Sequence, residues 1–463
     1  MSTIIHKAKR VTANQTLSQI AKLFGRCSDD TIVKIWRLFE KLASNPKDQA
    51  EIRRMRWLAE TRHPFNDWIK RISNELSPQA RMRFITNVYG NAWFLSKSGQ
   101  RLEFEKKHGF SPPDLIVVDV TSRCNLKCSG CWAAKYSTIP DMQLETIYRL
   151  IDECRSEMGI HYITLTGGEP FVRKDLLDIL EKYPDVQFLI YTNGIMIDDD
   201  TAERLSGLGN AMPMISLEGF EEATDNRRGK GVFKKVMSSM ERLHNHGVLH
   251  GFSATATRHN WDEISSEEFV NLMLDKGCFY GWYFQYIPVG RDPDTSLMVT
   301  PEQRDRLRRR VYKLRNTHPI FLADFWNDGP EVGGCMAGGK RYLHINSSGD
   351  IEPCVFAHFA VDNIRDKTLT EALKSPFFTA IRNGIPYDGN TLRACMIVDR
   401  PEVLREYCAQ HGAKPTHEGG ETILTTLAAQ MDENAKGVAE IYDRAWAEGD
   451  WMRTYPDPPD DYV

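Results

Sequence analysis

Three closely spaced cysteines are the residues of this sequence best suited to chemistry. Cys124, Cys128 and Cys131 lie in the segment TSRCNLKCSGCW (residues 121–132) with the spacing C-x3-C-x2-C. A tight loop can aim three thiolates inward, and a cubane iron-sulfur cluster held by only three thiolates leaves its fourth iron free to bind a substrate or cofactor. The spacing therefore predicts a cluster with one open, catalytic iron.

Two simpler interpretations of these cysteines have less support. A structural zinc ion takes four closed ligands, and no fourth Cys or His lies near this segment. Cysteines that merely pack as small apolar residues fit poorly in a polar loop that contains a glycine.

Six short apolar runs are predicted to be the strands that position this loop. They alternate with amphipathic helices, which is the pattern of a β/α series around a parallel sheet. Six units are too few for a closed eight-stranded barrel, so the predicted fold class is α/β with a partial (β/α)6 TIM-type barrel. The polar motifs follow these strands, on the face where barrel active sites form. The runs are residues 115–120, 162–166, 187–192, 212–218, 252–257 and 282–288.

The cysteine spacing, with an aromatic residue after the last cysteine, resembles the signature of the radical S-adenosylmethionine (SAM) superfamily. Further motifs follow successive strands in the family's order over about residues 115–290. Gly167, Gly168, Glu169 and Pro170 resemble the GGEP motif, whose backbone and carboxylate receive the SAM ammonium group in relatives. Glycines allow a close backbone approach to a ligand, and a carboxylate complements a positive amine.

Other positions extend the resemblance towards a SAM pocket. Thr192 and Asn193 end the third strand, and Ser216 ends the fourth, at a position that touches SAM in relatives. Trp132 could simply pack in the core, but as the aromatic residue after the last cysteine it is expected to flank the adenine.

Two features near the fourth strand are less direct matches. Glu218 stands where relatives commonly carry Asp, which leaves the reach of its carboxylate open. Asp225 and Arg228-Gly229 resemble the D-x2-RG element of the family. A loop arginine is usually solvated, so Arg228 is not assigned as a ligand.

The resemblance implies a radical reaction. A reduced 4Fe-4S cluster on the three cysteines passes one electron to SAM, and a 5'-deoxyadenosyl radical then removes hydrogen from a substrate. An electron donor such as flavodoxin or ferredoxin is expected, and the barrel supplies orientation and excludes quenching donors. The competing class is a non-enzymatic iron-sulfur electron carrier, which leaves the SAM motifs unexplained.

A second set of cysteines follows the barrel. Cys335 and Cys354, with Gly349 between them, form a C-x13-G-x4-C pattern that resembles the first half of a SPASM or twitch domain, which carries auxiliary clusters. The full C-x2-C-x5-C-x3-C run is absent. We therefore expect one auxiliary 4Fe-4S cluster on Cys335, Cys354 and Cys395, with Cys408 either the fourth ligand or unused on a helix. Residues 341–356 are predicted to form a hairpin around Gly349. Simple packing of Cys335 and Cys354 is the alternative to a cluster. The other cysteines are expected in the core: Cys27, Cys154 and Cys278.

Length and charge suggest how the chain is divided. A chain of 463 residues exceeds what a single core usually organises. The predicted parts are a helical basic domain (1–110), a radical SAM core (111–300), a small α+β auxiliary-cluster domain (301–410) and an acidic helical extension (411–463). Residues 1–110 carry 21 Lys and Arg against 10 Asp and Glu, and residues 411–463 carry 4 against 11. The two ends are expected to attract each other.

The predicted location is the cytoplasm. The first residues, MSTIIHKAKRVTANQ, lack the apolar stretch of a signal peptide, and no run of about eighteen uncharged apolar residues predicts a membrane span. Ten cysteines in a reducing compartment point to metal binding or catalysis rather than to disulfides.

The sequence indicates the substrate class only weakly. Basic and aromatic residues mix in the N-terminal domain, which suits peripheral contact with an anionic membrane, although contact with the acidic tail explains the same charges. Peptide-modifying relatives often begin with a winged-helix module containing strands, whereas residues 1–100 look helical. We therefore lean to a lipid or other amphiphile as substrate, with a peptide-modifying maturase as the alternative. No nucleic acid partner is expected, because no recognised binding fold is evident.

Overall fold

A run of seven parallel strands forms the centre of the protein. The computed structural model describes residues 28–42, 46–95, 99–133, 141–451, 454–460 and 462. Each strand pairs in parallel with the next along the chain. The strands are β1 (Ile116–Thr121), β2 (Tyr162–Gly167), β3 (Gln187–Thr192), β4 (Ala211–Leu217), β5 (Gly251–Ala256), β6 (Tyr280–Gln285) and β7 (Phe321–Asp324).

All six predicted strands and the partial-barrel fold class are confirmed. The structure adds β7, which the sequence pattern did not predict because its four residues lie between polar segments and show too little periodicity. All six residues of β1 are buried, as expected for a strand of a parallel sheet that is covered on both faces.

Helices precede and connect the strands. Several begin with a side chain that caps the first turn, such as Ser77, Asp198 and Thr300. The helices before β1 are α1 (Asp29–Leu42), α2 (Pro46–Glu60), α3 (Phe65–Glu75), α4 (Pro78–Phe84) and α5 (Gln100–His108), with a π-helix at Ile85–Leu95. Those within the barrel are α6 (Leu144–Ser156), α7 (Leu176–Lys182), α8 (Asp199–Leu208), α9 (Glu221–Arg228), α10 (Val232–Asn245), α11 (Trp261–Ile264), α12 (Glu267–Asp275) and α13 (Pro301–Arg315).

The prediction that residues 1–100 are helical agrees with α1 to α5 and the π-helix, whereas residues 1–27, which include Cys27, lie outside the described residues. These helices cover the amino ends of the barrel strands. The Trp68 indole N–H donates to the Phe279 carbonyl just before β6 at 2.6 Å, and Arg71 donates to the Cys278 carbonyl at 2.9 Å. Ser77 donates its N–H to the Gly247 carbonyl ahead of β5. The helical region therefore closes the barrel floor.

A small module follows β7; some of its strands extend the same sheet, and two pair with each other in a separate sheet. Its strands are β8 (His344–Ile345), β9 (Asp350–Glu352), β10 (Phe359–Ala360), β11 (Asp362–Asn363) and β12 (Lys414–Pro415). Its helices and those after it are α14 (Gly329–Val332), α15 (Leu369–Leu373), α16 (Pro376–Gly384), α17 (Pro401–His411) and α18 (Ala428–Ala447). Strand β8 pairs in parallel with β1 and antiparallel with β9. The predicted hairpin at Gly349 is confirmed, and it lies beside the strand that carries the cysteine loop.

The acidic end of the chain packs on the basic helices. Arg54 lies 3.7 Å from Asp457 and donates to the Tyr455 carbonyl, while the Tyr462 hydroxyl donates to Glu60 at 2.7 Å. The predicted attraction between the two ends is present in the structure. The domain boundaries at residues 110, 300 and 410 stay predictions.

No helix in the described parts of the chain combines the length and apolar character needed to cross a bilayer.

Candidate active site

The cysteine loop follows β1 and is held by two arginines from other parts of the barrel. Arg227 donates from Nε to the Ser129 carbonyl at 3.2 Å, and its own carbonyl accepts from the Ser129 N–H at 3.1 Å. Arg291 donates its backbone N–H to the Cys131 carbonyl at 2.9 Å and Nη1 to the Cys128 carbonyl at 3.1 Å. These contacts fix the loop through its backbone and do not engage the thiols.

The three thiols of the loop lie close enough to affect one another. Burial raises the pKa of Cys124 to about 11, and Cys131 and Cys128 add to this shift. Burial and the neighbouring Cys128 also raise the pKa of Cys131. In the described residues, no three His, Cys, Asp or Glu side chains converge as a site for a single metal ion. Ligands of a multi-iron cluster bind different irons, so they need no such convergence.

Gly167 and Gly168 allow β2 to end directly against the cysteine loop. The Gly168 N–H donates to the Thr121 carbonyl at 2.9 Å, and the Glu169 N–H donates to the Arg123 carbonyl at 2.8 Å. A Cβ on Gly168 would lie 2.2 Å from the Arg123 oxygen, and one on Gly167 would lie 2.1 Å from the Thr121 oxygen. The close approach is therefore between two backbone segments, whereas the sequence suggested an approach to a ligand.

Glu169 joins the ends of two strands. Its Oε1 accepts from the Thr192 hydroxyl at 2.7 Å and from the Phe171 N–H at 3.1 Å, and its Oε2 accepts from the Asn193 N–H at 2.7 Å. Burial raises the pKa of this carboxyl group, and the three donors partly offset the effect. A carboxylate accepts about four hydrogen bonds, so one position remains for an ammonium group. The next residue, Pro170, opens the 3-10 turn Pro170–Val172.

Ser216 and Glu218 lie at the end of β4. Ser216 lines the central cavity, as the resemblance implies for a SAM contact. Glu218 is only 1% exposed, and its Oε1 accepts from Arg227 at 2.6 Å and from Arg228 at 2.5 Å. Its Oε2 is buried and has no hydrogen-bond partner among the described residues. Asp225 lies apart from this group and accepts from the Phe233 N–H at 2.8 Å at the start of α10.

Trp132 lies between the cysteine loop and the small module. Its ring centroid is 5.7 Å from that of His344, 6.0 Å from that of His358 and 6.2 Å from that of Phe356. Trp132 also lines the cavity, so its expected place beside the adenine stays a prediction.

His344 is buried behind Trp132 between two carboxylates. Its Nδ1 is 2.6 Å from Glu352 Oε2, and its Nε2 is 3.1 Å from Asp119 Oδ1. Burial alone would lower the pKa of His344, but Asp119 and Glu352 raise it to about 10. This triad connects β1, β8 and β9, and so it fixes the small module against the barrel.

Three of the four predicted auxiliary ligands come together. Burial raises the pKa of Cys335 well above its usual range, and the nearby Cys395 and Cys354 add to the shift. Burial likewise raises the pKa of Cys395 to about 12, with a contribution from Cys354. Cys408 lies on α17, and burial is the sole cause of its raised pKa, with no contribution from another cysteine. Cys154 and Cys278 are fully buried in the core, as predicted.

A large cavity joins the cysteine loop to the small module. Counting its open mouth, it encloses about 1430 Å³. Arg227 and Arg228, at the end next to the loop, are the only charged side chains among the described residues that line it. Aromatic residues dominate the rest of the wall: Tyr162, Tyr191, Trp282, Phe284, Phe325 and Phe356.

Several residues of this site were not predicted from the sequence. Arg291, Tyr342 and His344 reach the site only through tertiary packing, and no local motif marks them. Arg227 precedes the predicted Arg228 in the same element, which is the only available signal for it.

Comparisons with known proteins agree with these motifs. The family described as the radical SAM superfamily matches residues 118–272, and the iron-sulfur cluster-binding SPASM domain matches residues 335–396. The AdoMet-dependent heme synthase of Methanosarcina barkeri is 27% identical over 289 residues, which cover 56% of this chain and 81% of the relative. The PqqA peptide cyclase of Ruegeria pomeroyi is 26% identical over 308 residues, which cover 61% and 79%.

A solved structure has the same fold. Streptococcus suis SuiB bound to its precursor peptide SuiA aligns with a TM-score of 0.53 and 20% identity, over 62% of this chain and 71% of that chain.

Proposed function

The chain is a radical SAM enzyme with a SPASM iron-sulfur domain, and from this premise we propose that it removes hydrogen from an uncharged, apolar group of its substrate. The cavity wall carries this proposal. Beyond the two arginines beside the cysteine loop, the described lining is aromatic, aliphatic or neutral polar. Burying a charged substrate group against such a wall would cost at least about 2 kcal/mol. An apolar group is therefore favoured.

The proposed cluster ligands are Cys124, Cys128 and Cys131, and the proposed SAM contacts are the residues at the ends of β2, β3 and β4. When bound, a reduced 4Fe-4S cluster and SAM supply a 5'-deoxyadenosyl radical. Glu169 has one acceptor position left for the SAM ammonium group, and the aromatic wall excludes water from the reacting carbon. Arg227 and Arg291 orient the cysteine loop towards this space.

We propose a peptide as the molecule that carries the apolar group. The PqqA peptide cyclase supports this choice, as does a second relative, the sporulation killing factor maturation protein SkfB of Bacillus subtilis, which is 25% identical over 311 residues. An aliphatic or aromatic side chain of a peptide would fit the wall formed by Tyr191, Trp282 and Phe284.

A lipid or other amphiphile is the second candidate. The specific observation in its favour is the length of the uncharged wall, which runs from Tyr162 at the start of β2 to Phe356 in the small module. An extended hydrocarbon chain would bury its whole length there without any charged partner.

Hydrogen transfer from candidate substrates tests the proposal. Anaerobically reduced, reconstituted enzyme would be incubated with SAM and with peptide, lipid or water-soluble metabolite extracts of cells grown on deuterated medium. Deuterium in the 5'-deoxyadenosine formed with the peptide fraction supports the main proposal, and deuterium from the lipid fraction alone replaces it with the second candidate. Deuterium transfer only from charged, water-soluble molecules would contradict both. The matched control is Cys124→Ala, which we expect to form no 5'-deoxyadenosine.

The enzyme needs a reductant, and we propose a flavodoxin or ferredoxin in this role. The cysteine loop lies at the carboxyl edge of the sheet, where part of Cys124 is accessible to solvent although its thiol is surrounded closely enough for burial to raise its pKa. We propose that the electron donor approaches the loop from this edge.

A further inference from the structure

Tyr342 connects the cavity to the auxiliary cysteines. Its hydroxyl donates a hydrogen bond to the sulfur of Cys354, with 2.8 Å between Oη and Sγ. The side chain is 3% exposed and lines the cavity, and its ring lies 6.1 Å from that of Phe325. One side chain thus contacts both the apolar wall and a proposed cluster ligand.

The three cysteines beside Tyr342 suit an iron-sulfur cluster. The segments that carry Cys335, Cys354 and Cys395 pack together, since the Gly338 N–H donates to the Pro353 carbonyl at 2.9 Å and a Cβ on Gly334 would lie 3.7 Å from the Cβ of Ala394. Backbone N–H groups also point at two of the sulfurs. Phe356 donates its N–H to Cys354 at 3.5 Å, and Ile397 donates its N–H to Cys395 at 3.4 Å. Donors aimed at sulfur stabilise thiolate ligands.

We propose that Tyr342 is a positioning residue that raises the reduction potential of the auxiliary cluster through its hydrogen bond to Cys354. A donor to a cluster sulfur offsets negative charge and therefore favours the reduced form. The bond length of 2.8 Å is short for a hydroxyl and a sulfur, and the tyrosine ring is fixed by packing.

This role rests on the proposed function, and it favours oxidation of the substrate. Once hydrogen has left the substrate, the substrate radical would lose one electron to the auxiliary cluster and one proton to solvent beyond the cavity mouth. The substrate would then be oxidised by two electrons, one of which the auxiliary cluster would accept, and 5'-deoxyadenosine would carry the hydrogen atom. A higher potential at the acceptor favours this oxidative outcome over return of the hydrogen atom.

A second tyrosine supplies a matched control. The Tyr387 hydroxyl is buried and has no hydrogen-bond partner among the described residues, although Cys335 and Cys395 are near enough to contribute to its raised pKa. Tyr387→Phe removes a hydroxyl close to the same cysteines without removing a bond to sulfur. It controls for general effects of hydroxyl loss.

Redox titration of the holoenzyme, followed by electron paramagnetic resonance without SAM or substrate, tests the proposal. We expect Tyr342→Phe to lower the midpoint potential of the auxiliary cluster and to leave that of the SAM-binding cluster unchanged. Tyr387→Phe should leave both unchanged. An unchanged auxiliary potential in Tyr342→Phe with full iron content would overturn the proposal. Because no substrate is present, this result is independent of the proposed substrate class.

A measurement on the unmodified protein covers the case in which the variant does not fold. In D2O, electron-nuclear double resonance of the reduced auxiliary cluster should detect an exchangeable deuteron coupled to it with the geometry of an O–H···S bond. Coupling confined to the backbone N–H groups of Phe356 and Ile397 would count against Tyr342.

Discussion

The side chain of Glu169 accepts a hydrogen bond from the hydroxyl of Thr192 at 2.7 Å, and this contact joins the end of β2 to the end of β3. The same carboxylate also accepts the Asn193 N–H. The proposed ammonium site is therefore part of the bond network that holds the two strand ends together.

Replacement of Glu169 tests this dual role. In Glu169→Gln an amide NH2 would face one of the three donors, and the negative charge that the SAM ammonium group would contact is removed. We expect SAM affinity to fall by about tenfold to a hundredfold, which is the effect of one lost hydrogen bond to a charged group. Equilibrium binding of SAM to the reconstituted enzyme measures it. Thr192→Val removes only one donor and should cost less. Unchanged SAM affinity in Glu169→Gln would remove the carboxylate from the proposed SAM site.

Gly168→Ala should disrupt the cysteine loop. The new methyl group would lie 2.2 Å from the Arg123 carbonyl oxygen, and this contact can be relieved only by a shift of the backbone on one side. We expect less iron bound at the loop and a loss of 5'-deoxyadenosine formation. The control is Gly207→Ala, in α8 with open space around its Cα. This variant should keep both the iron at the loop and the formation of 5'-deoxyadenosine. Full iron content and activity in Gly168→Ala would show that the loop tolerates this shift.

The pH dependence of stability should report on His344. Its pKa is raised to about 10 in the folded protein, above the ordinary value of 6.5, so its stabilising contribution is complete below about pH 6.5 and is lost as the pH rises through about 10. We expect the midpoint temperature of unfolding to fall between pH 7 and pH 10.

His344→Gln provides the comparison. The variant leaves Asp119 and Glu352 buried without their cation, which costs about 3–5 kcal/mol. Its midpoint temperature at pH 7 should be lower than that of the wild type, and its further decrease up to pH 10 should be smaller. Parallel pH profiles of the two proteins would assign the effect to other groups.

Iron analysis should separate the auxiliary cysteines. We expect Cys395→Ser to lose auxiliary iron, because Cys395 lies with Cys335 and Cys354. Cys408→Ser should retain it, because no other cysteine contributes to the raised pKa of Cys408. Equal iron loss in both variants would make Cys408 the fourth ligand.

Sedimentation with lipid vesicles tests the membrane contact that the basic N-terminal region suggested. Many of its basic side chains are already paired within the protein, including Arg53 with Glu40, Arg71 with Glu75 and Lys70 with Asp29. We therefore expect no more binding to anionic vesicles than to neutral ones at physiological salt. Clear enrichment on anionic vesicles would contradict this expectation and would support contact of the N-terminal region with anionic membranes.

The sequence predicted the barrel and the cysteine loop because their signals are local. Short apolar runs followed by polar motifs mark β1 to β6. In a parallel β/α series such motifs follow the carboxyl ends of the strands, so their order along the chain can be read directly. The contacts of Glu218 were not predictable, because they depend on where Arg227 and Arg228 lie after folding. The partners of Trp132 come from the small module, more than two hundred residues later in the chain. Long-range packing of this kind leaves no periodic trace in the sequence.

The helices that cover the amino ends of the strands also constrain the order of events during turnover. Tyr162 and Trp282 lie in the amino-terminal halves of β2 and β6, whereas Gly168 and Glu169 lie at the carboxyl end of β2. Trp68 and Arg71 cover the amino end, so we expect molecules to enter from the carboxyl ends of the strands. On this expectation the reactant seated against Tyr162 and Trp282 binds before the one held by Gly168 and Glu169, which corresponds to compulsory-order kinetics.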